Sequence, residues 1–125
     1  MKRAINAAII QDGKILLVKK KDVWILPGGK PEQGELDIDC LQREVQEELS
    51  GTNLKDIDFY KRVEGITPYK GYVLEATVYF AAVDGTLHPA SAEIGAFEWV
   101  RDTDKYSLSD ITSKIIIDLK KDKYL

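Results

Sequence analysis

Residues 26–51 read LPGGKPEQGELDIDCLQREVQEELSG, and the rest of the chain is best understood outward from this stretch. Its first part bends. Pro27-Gly28-Gly29 stops an apolar run, and Lys30 to Gly34 has the Pro and Gly content of a loop. Its second part is the strongest helix signal in the chain. Asp37 to Leu49 contains no Gly or Pro, and Ile38, Leu41, Val45 and Leu49 recur at helical spacing. Asp37 is placed to cap the start, and Gly51 to end the helix in the left-handed conformation.

At about 100° per residue the four apolar side chains span an arc of roughly 80°, and Glu44, Glu47 and Glu48 form one acidic face beside them. Like charges at these spacings each cost a helix about 0.2–0.5 kcal/mol. Glu47 and Glu48 also sit in the last turn, where the helix dipole disfavours negative charge by about 0.3–1 kcal/mol. A helix chosen only for stability would carry lysines there. By itself the pattern fits either a solvated acidic face or a site for a hard cation such as Mg²⁺ or Mn²⁺, which prefers oxygen ligands. Gly28 and Gly29 let backbone approach closely, so a carbonyl there can complete such a shell.

Outward from this stretch, Ala4 to Ile10 and Lys14 to Val18 flank Asp12-Gly13 and predict a β-hairpin. Val23 to Leu26 is a short third run. Phe59 to Val63, Gly71 to Val83 and Phe97 to Val100 predict strands, with Asp84-Gly85 as a further turn signal. Ser109 to Leu119 predicts a second helix capped by Ser109, with Ile111, Ile115, Ile116 and Leu119 on one face. Strands and helices in this order predict an α/β fold, a mixed sheet with helices packed on it.

The chain has 125 residues, 44% hydrophobic and 31% charged, which suits one domain over residues 1–125. A net charge of −3 leaves no basic footprint for a nucleic-acid backbone. A mildly acidic protein that handles an anion must supply positive charge locally, and a bound cation does so. The single cysteine, Cys40, excludes an intramolecular disulfide and a cysteine zinc site and suggests a reducing compartment. The apolar stretch after Met1-Lys2-Arg3 is broken by Asn6 and is too short for a signal peptide or a membrane helix, so a cytoplasmic protein is expected.

From Gly29 the chain gives five residues, Glu35, seven residues, then Arg43-Glu44-Val45-Gln46-Glu47-Glu48. This resembles the Nudix box, GX5EX7REUXEEXGU with U aliphatic, at every charged position. Leu26-Pro27-Gly28 looks like its usual lead-in. The box spans 23 residues, Gly29 to Gly51, and departs from the family only at its end, where Ser50-Gly51 replaces Gly and an aliphatic residue. The resemblance implies a Nudix-type α/β/α sandwich with a mixed sheet between helices. It implies metal-dependent hydrolysis of a nucleoside diphosphate linked to another group, such as a nucleoside triphosphate or an ADP-ribose-like substrate. It further implies Glu44, Glu47, Glu48 and the Gly28 carbonyl as ligands of Mg²⁺ or Mn²⁺, with Arg43 pairing with Glu35 to hold loop and helix together. Glu35 is also placed to reach a metal through water. The alternative to that orienting role is a plain surface ion pair.

Family members often draw a further carboxylate from a later loop. Glu93 is the first candidate here and Glu98 the second, each against an ordinary surface glutamate. The general base is open among Glu44, Glu48 and Glu93. Cys40 either lines the cleft or packs under the Gly28-Gly29 loop. Trp24 and Trp99 read as packing residues and His88 as exposed. Tyr69 and Tyr72 are candidates to stack on a base, against half-exposed strand tyrosines. Pro68 and Tyr69, 17 and 18 residues past Gly51, match markers of ADP-ribose and of dinucleoside polyphosphate hydrolases respectively and do not choose between them. The short chain resembles the small MutT-like triphosphate pyrophosphohydrolases. A homodimer is within the family's habits. Two other classes compete with an enzyme: an inactive Nudix-fold nucleotide sensor, and a structural domain with an acidic helix.

Overall fold

The computed structural model describes residues 2–89 and 94–125. Chain order runs through β1 (Lys2–Ala8), β2 (Ile10–Gln11), β3 (Lys14–Lys20), β4 (Val23–Ile25) and β5 (Gly28–Gly29). Helix α1 (Asp37–Glu48) comes next, followed by β6 (Leu49–Ile66), β7 (Val73–Pro89), β8 (Ile94–Val100), a 3-10 turn (Thr103–Lys105) and α2 (Asp110–Lys121). One sheet has the order β5-β1-β7-β6; in the other, β3 pairs with β2, β4 and β8. The β1–β7 pair is parallel and the remaining ladders are antiparallel, so the expected mixed sheet is present.

Side-chain alternation along β1 builds two cores. Ala4 and Ala8 join Leu74, Ala76 and Val78 against Ile111, Ile115, Ile116 and Leu119 of α2. Ile5 and Ala7 point the other way, against Cys40, Leu41 and Val45 of α1. The helices therefore cover opposite faces, the α/β/α arrangement expected. Each fully buried Leu or Ile contributes about 1.5–3 kcal/mol.

Several local expectations shift. The Asp12-Gly13 turn has φ of 53° and 74°, as a tight hairpin turn requires, but it joins only β2 to β3, while β1 belongs to the other sheet. Asp37 does not cap α1. Leu36 is the N-cap, without a side-chain bond, and Asp37 instead accepts from Arg3 and Tyr79. Ile38 is 47% exposed beside Leu36 at 70%, because the first turn of α1 overhangs its core and burial starts at Cys40. Gly51 is left-handed (φ 80°), yet α1 has already run into β6 at Leu49, and Gly51 sits at a bulge between Ser50 and Thr52. Asp84-Gly85 is no turn: both lie inside β7 opposite Asn53 and Thr52. A Cβ on Gly85 would lie 2.2 Å from the Gly51 carbonyl oxygen, so this glycine permits a close backbone approach. Ser109 caps α2 as expected, accepting from the Thr112 amide at 3.2 Å.

Candidate active site

The bend at residues 26–29 is held by β1 and by the start of α2. The Ala7 amide donates to the Pro27 carbonyl at 2.9 Å, and Asn6 Nδ2 reaches the Leu26 and Pro27 carbonyls at 3.4 and 3.5 Å. From α2, Thr112 Oγ1 accepts the Leu26 amide at 3.2 Å, and Ser109 Oγ donates to the same hydroxyl at 2.8 Å. Gly28 and Gly29 then pair with Asn6 and Ile5 as a two-residue edge strand, where the sequence suggested only a stop. Gly28 (φ 139°) lies so close to β1 that a Cβ would sit 2.1 Å from the Ile5 carbonyl oxygen.

Helix α1 meets the bend with its acidic face. Glu48 Oε1 accepts the Gly28 amide at 2.8 Å. Glu44 lies over Gly29, so that a Cβ on that glycine would fall 2.4 Å from the carboxylate. Glu47 is more open, its side chain 58% exposed. Beneath them Cys40 is buried, with Sγ 3.8 Å from the Gly29 carbonyl oxygen; desolvation raises its thiol to about 11. Cys40 thus packs under the loop as an unreactive thiol.

Arg43 organises this face. Its Nε and Nη2 grip Glu35 Oε2 and Oε1 at 2.8 Å each, a bidentate fork. Nη2 also donates to the Lys30 carbonyl at 3.2 Å, and Nη1 reaches Glu44 at 2.9 Å and Glu47 at 3.2 Å. The Arg43 bonds, with help from the Glu32 amide, lower Glu35 from its ordinary 4.5 to about 2. Such a carboxylate stabilises the fold above its unfolded pKa and loses that contribution as pH falls from about 4.5 toward 2. Glu35→Gln is therefore expected to flatten the acid limb of a Tm-against-pH curve. Arg43→Lys, one point charge for a planar fork, is expected to lower Tm by several degrees and turnover by about tenfold or more. An unchanged Tm in Arg43→Lys would show the network to be ornamental.

Glu48 carries an electrostatic burden. Burial raises its carboxyl to about 8, and Glu44 and Glu47 push in the same direction, against the Gly28 amide and Lys20. A cation beside it relieves both effects, and the Gly29 cradle leaves room for the Glu44 carboxylate. Oxygen donors without thiolate or imidazole suit a hard divalent ion. Glu44, Glu47 and Glu48 are the residues of this face that could hold one. Among the described residues no three acidic, His or Cys side chains converge on one point; Glu44 and Glu47 are paired with Arg43.

The other candidates are spread around this centre. Glu93 lies outside the described residues, and of His88 only the backbone position in β7, opposite Ser50, is described. Glu98 is on β8 and accepts from the Tyr106 hydroxyl. Trp24 packs edge-on against Tyr106 at 5.3 Å, and Trp99 packs into the α1-side core. Tyr69 donates to Asp22, and the Tyr72 hydroxyl is bonded by Lys30. Sequence reading missed Asn6, Thr112 and Lys30. Asn6 had a signal, a lone amide in an apolar strand; the other two gain meaning only from the chain that folds against them.

The domain model of the NUDIX family matches residues 1–107. The crystal structure of a MutT NUDIX hydrolase from Burkholderia pseudomallei superposes with a TM-score of 0.80 at 30% identity, covering 90% of this chain and 93% of that one. An 8-oxo-dGTP diphosphatase from Buchnera aphidicola is 34% identical over 82 residues, 66% of this chain and 63% of the relative. The m7GpppN-mRNA hydrolase of Saccharomyces cerevisiae is 36% identical over 99 residues, 75% of this chain; the chain spans only 10% of that relative's length. With the glutamates of α1 set against a glycine bend and the match running over most of its length, this chain belongs to the Nudix hydrolase family.

Proposed function

We propose that the protein is a metal-dependent pyrophosphohydrolase, one Nudix domain over residues 1–125, that cleaves a nucleoside diphosphate from its linkage to another group by attack of water on phosphorus. The observation that carries this reading is the Glu48 carboxylate, anchored on the Gly28 amide beside Glu44 and Glu47, where burial and like charge call for a cation. Mg²⁺ or Mn²⁺ bound by Glu44, Glu47, Glu48 and the Gly28 carbonyl supplies Lewis-acid polarisation of the phosphate and an activated water. Arg43 and Glu35 fix the helix against the loop. The proton acceptor is one of Glu44, Glu48 and Glu93, each to be tested by the pH–rate profile of its glutamine variant.

The names of the two curated relatives, an 8-oxo-dGTP diphosphatase and an m7GpppN-mRNA hydrolase, support a nucleotide substrate. No helix among the described residues is long and apolar enough to cross a membrane, which accords with a cytoplasmic enzyme. The test is to incubate the protein with nucleoside triphosphates, ADP-ribose, dinucleoside polyphosphates and nucleotide sugars, each with Mg²⁺ and with Mn²⁺, and to identify both products. Paired phosphorylated products from at least one class are expected. Nucleotide-induced thermal stabilisation with no cleavage of any class would replace the enzyme by a sensor module.

A further inference from the structure

Strand β4 runs out of backbone partners where it enters the bend. Beyond its ladder with β3, the Trp24 amide donates to the Ser107 carbonyl at 2.8 Å and the Trp24 carbonyl accepts the Ser109 amide at 3.2 Å, one step of a parallel pairing. The next bond of such a ladder would join the Leu26 amide to the Ser109 carbonyl. That carbonyl is taken: it accepts the Ser113 amide at 2.9 Å as α2 begins. Leu26 is buried, so its amide needs a partner within the protein. The Thr112 hydroxyl is that partner, accepting the Leu26 amide at 3.2 Å from a residue only 2% exposed. Ser109 Oγ braces the hydroxyl at 2.8 Å and accepts the Thr112 amide at 3.2 Å as the α2 cap.

Two residues further on, the Gly28 amide donates to Glu48 Oε1 at 2.8 Å. Between the two amides the Pro27 ring fixes φ, and the Leu26 and Pro27 carbonyls are bonded by Asn6 and Ala7. Few torsions remain free, so a turn of the backbone at Leu26 is passed on to Gly28. Thr112 supplies the hold on this stretch from α2, a helix that carries none of the proposed ligands. An isosteric valine there would leave the Leu26 amide buried without an acceptor, and the stretch would turn to find one.

We propose that Thr112 is a positioning residue of the reaction: its hydroxyl holds the Leu26 amide so that the Gly28 amide stays on Glu48 and the Gly28 carbonyl keeps one direction. The inference rests on the pyrophosphohydrolase reading of that site. Its test compares three variants. Thr112→Val keeps the shape and removes the hydroxyl, Thr112→Ser keeps the hydroxyl, and Ile116→Val trims the α2 core away from the bend. Titration with Mn²⁺ in the absence of substrate is expected to show affinity about tenfold weaker in Thr112→Val and parental in the other two. In turnover, kcat should fall about tenfold or more in Thr112→Val with KM little changed, and serine should restore it. Both valine variants lower Tm, but only the one at Thr112 touches metal affinity and kcat. Parental Mn²⁺ affinity and kcat in a folded Thr112→Val, or an equal loss in Ile116→Val, would overturn the role. Should Thr112→Val not fold, the parent protein decides. There Mg²⁺ should slow amide exchange at Leu26 together with Gly28, because the two are held as one stretch. Slowing at Gly28 alone would overturn the role. A full loss of the proposal on an active parent leaves the enzymatic reading standing, whereas a parent that binds neither ion and hydrolyses nothing would refute that reading and the positioning role with it.

Discussion

Glu48→Gln is expected to lower turnover of the best substrate by about 10²–10⁴-fold while leaving Tm unchanged or raised. The amide oxygen of Gln can still accept the Gly28 amide, so the helix stays anchored to the bend. What disappears is a buried negative charge that only a cation or a reacting proton makes useful. Glu47→Gln is expected to show the same direction with a separate signature. Glu47 is the more open carboxylate, so its loss should be partly recovered at high Mg²⁺ or Mn²⁺. The measurements are steady-state kinetics across a metal titration, with thermal melts on the same samples. Full turnover in Glu48→Gln would remove Glu48 from the reaction and with it the proposed metal centre.

The two adjacent glycines are expected to fail in different ways. Gly28→Ala puts a methyl 2.1 Å from the Ile5 backbone oxygen and 2.8 Å from Asn6 Cα, at a φ of 139° that L-residues rarely adopt. Neither backbone atom can give way without parting β5 from β1. A destabilisation of about 3 kcal/mol or more follows from strain and overpacking together, enough to unfold much of the population. Gly29→Ala meets only the tip of the Glu44 side chain, at 2.4 Å, and that tip can swing aside. Its Tm should stay within a few degrees of the parent while turnover falls about 100-fold, because a displaced carboxylate is a misplaced ligand. Gly34→Ala is the control: a Cβ there finds nothing within 4 Å, and only the positive φ of 77° resists it, at about 1 kcal/mol. Denaturant melts and kinetics on the three variants separate these outcomes. A folded, active Gly28→Ala would show that the close approach of bend and strand is not required.

The two helices were legible from the sequence because local periodicity and helix packing obey the same rule. The stripe Leu41-Val45 in α1, continued by Leu49 where the chain enters β6, and Ile111-Ile115-Leu119 in α2 are both the pattern in the chain and the buried face in the fold. Strand partners were not legible. The Asp12-Gly13 pair marks a turn, but which sheet β1 joins depends on its parallel pairing with β7, some seventy residues away in the chain. Asp84-Gly85 has the composition of a turn, yet the glycine serves a close approach to Gly51 from another strand. Nothing local to either residue separates the two uses.

For the site, the sequence by itself determined which charges share a helix face and that Glu35 lies one loop from Arg43, because spacing along a helix fixes direction. Only the tertiary structure decided what each charge does. It placed Glu48 on the Gly28 amide, Glu44 over Gly29, and Arg43 among Glu35, Glu44 and Glu47, and it brought Lys2 and Lys30 to one ring. Burial and through-space charge set these outcomes. Both depend on residues distant in the chain, so no window of sequence contains them.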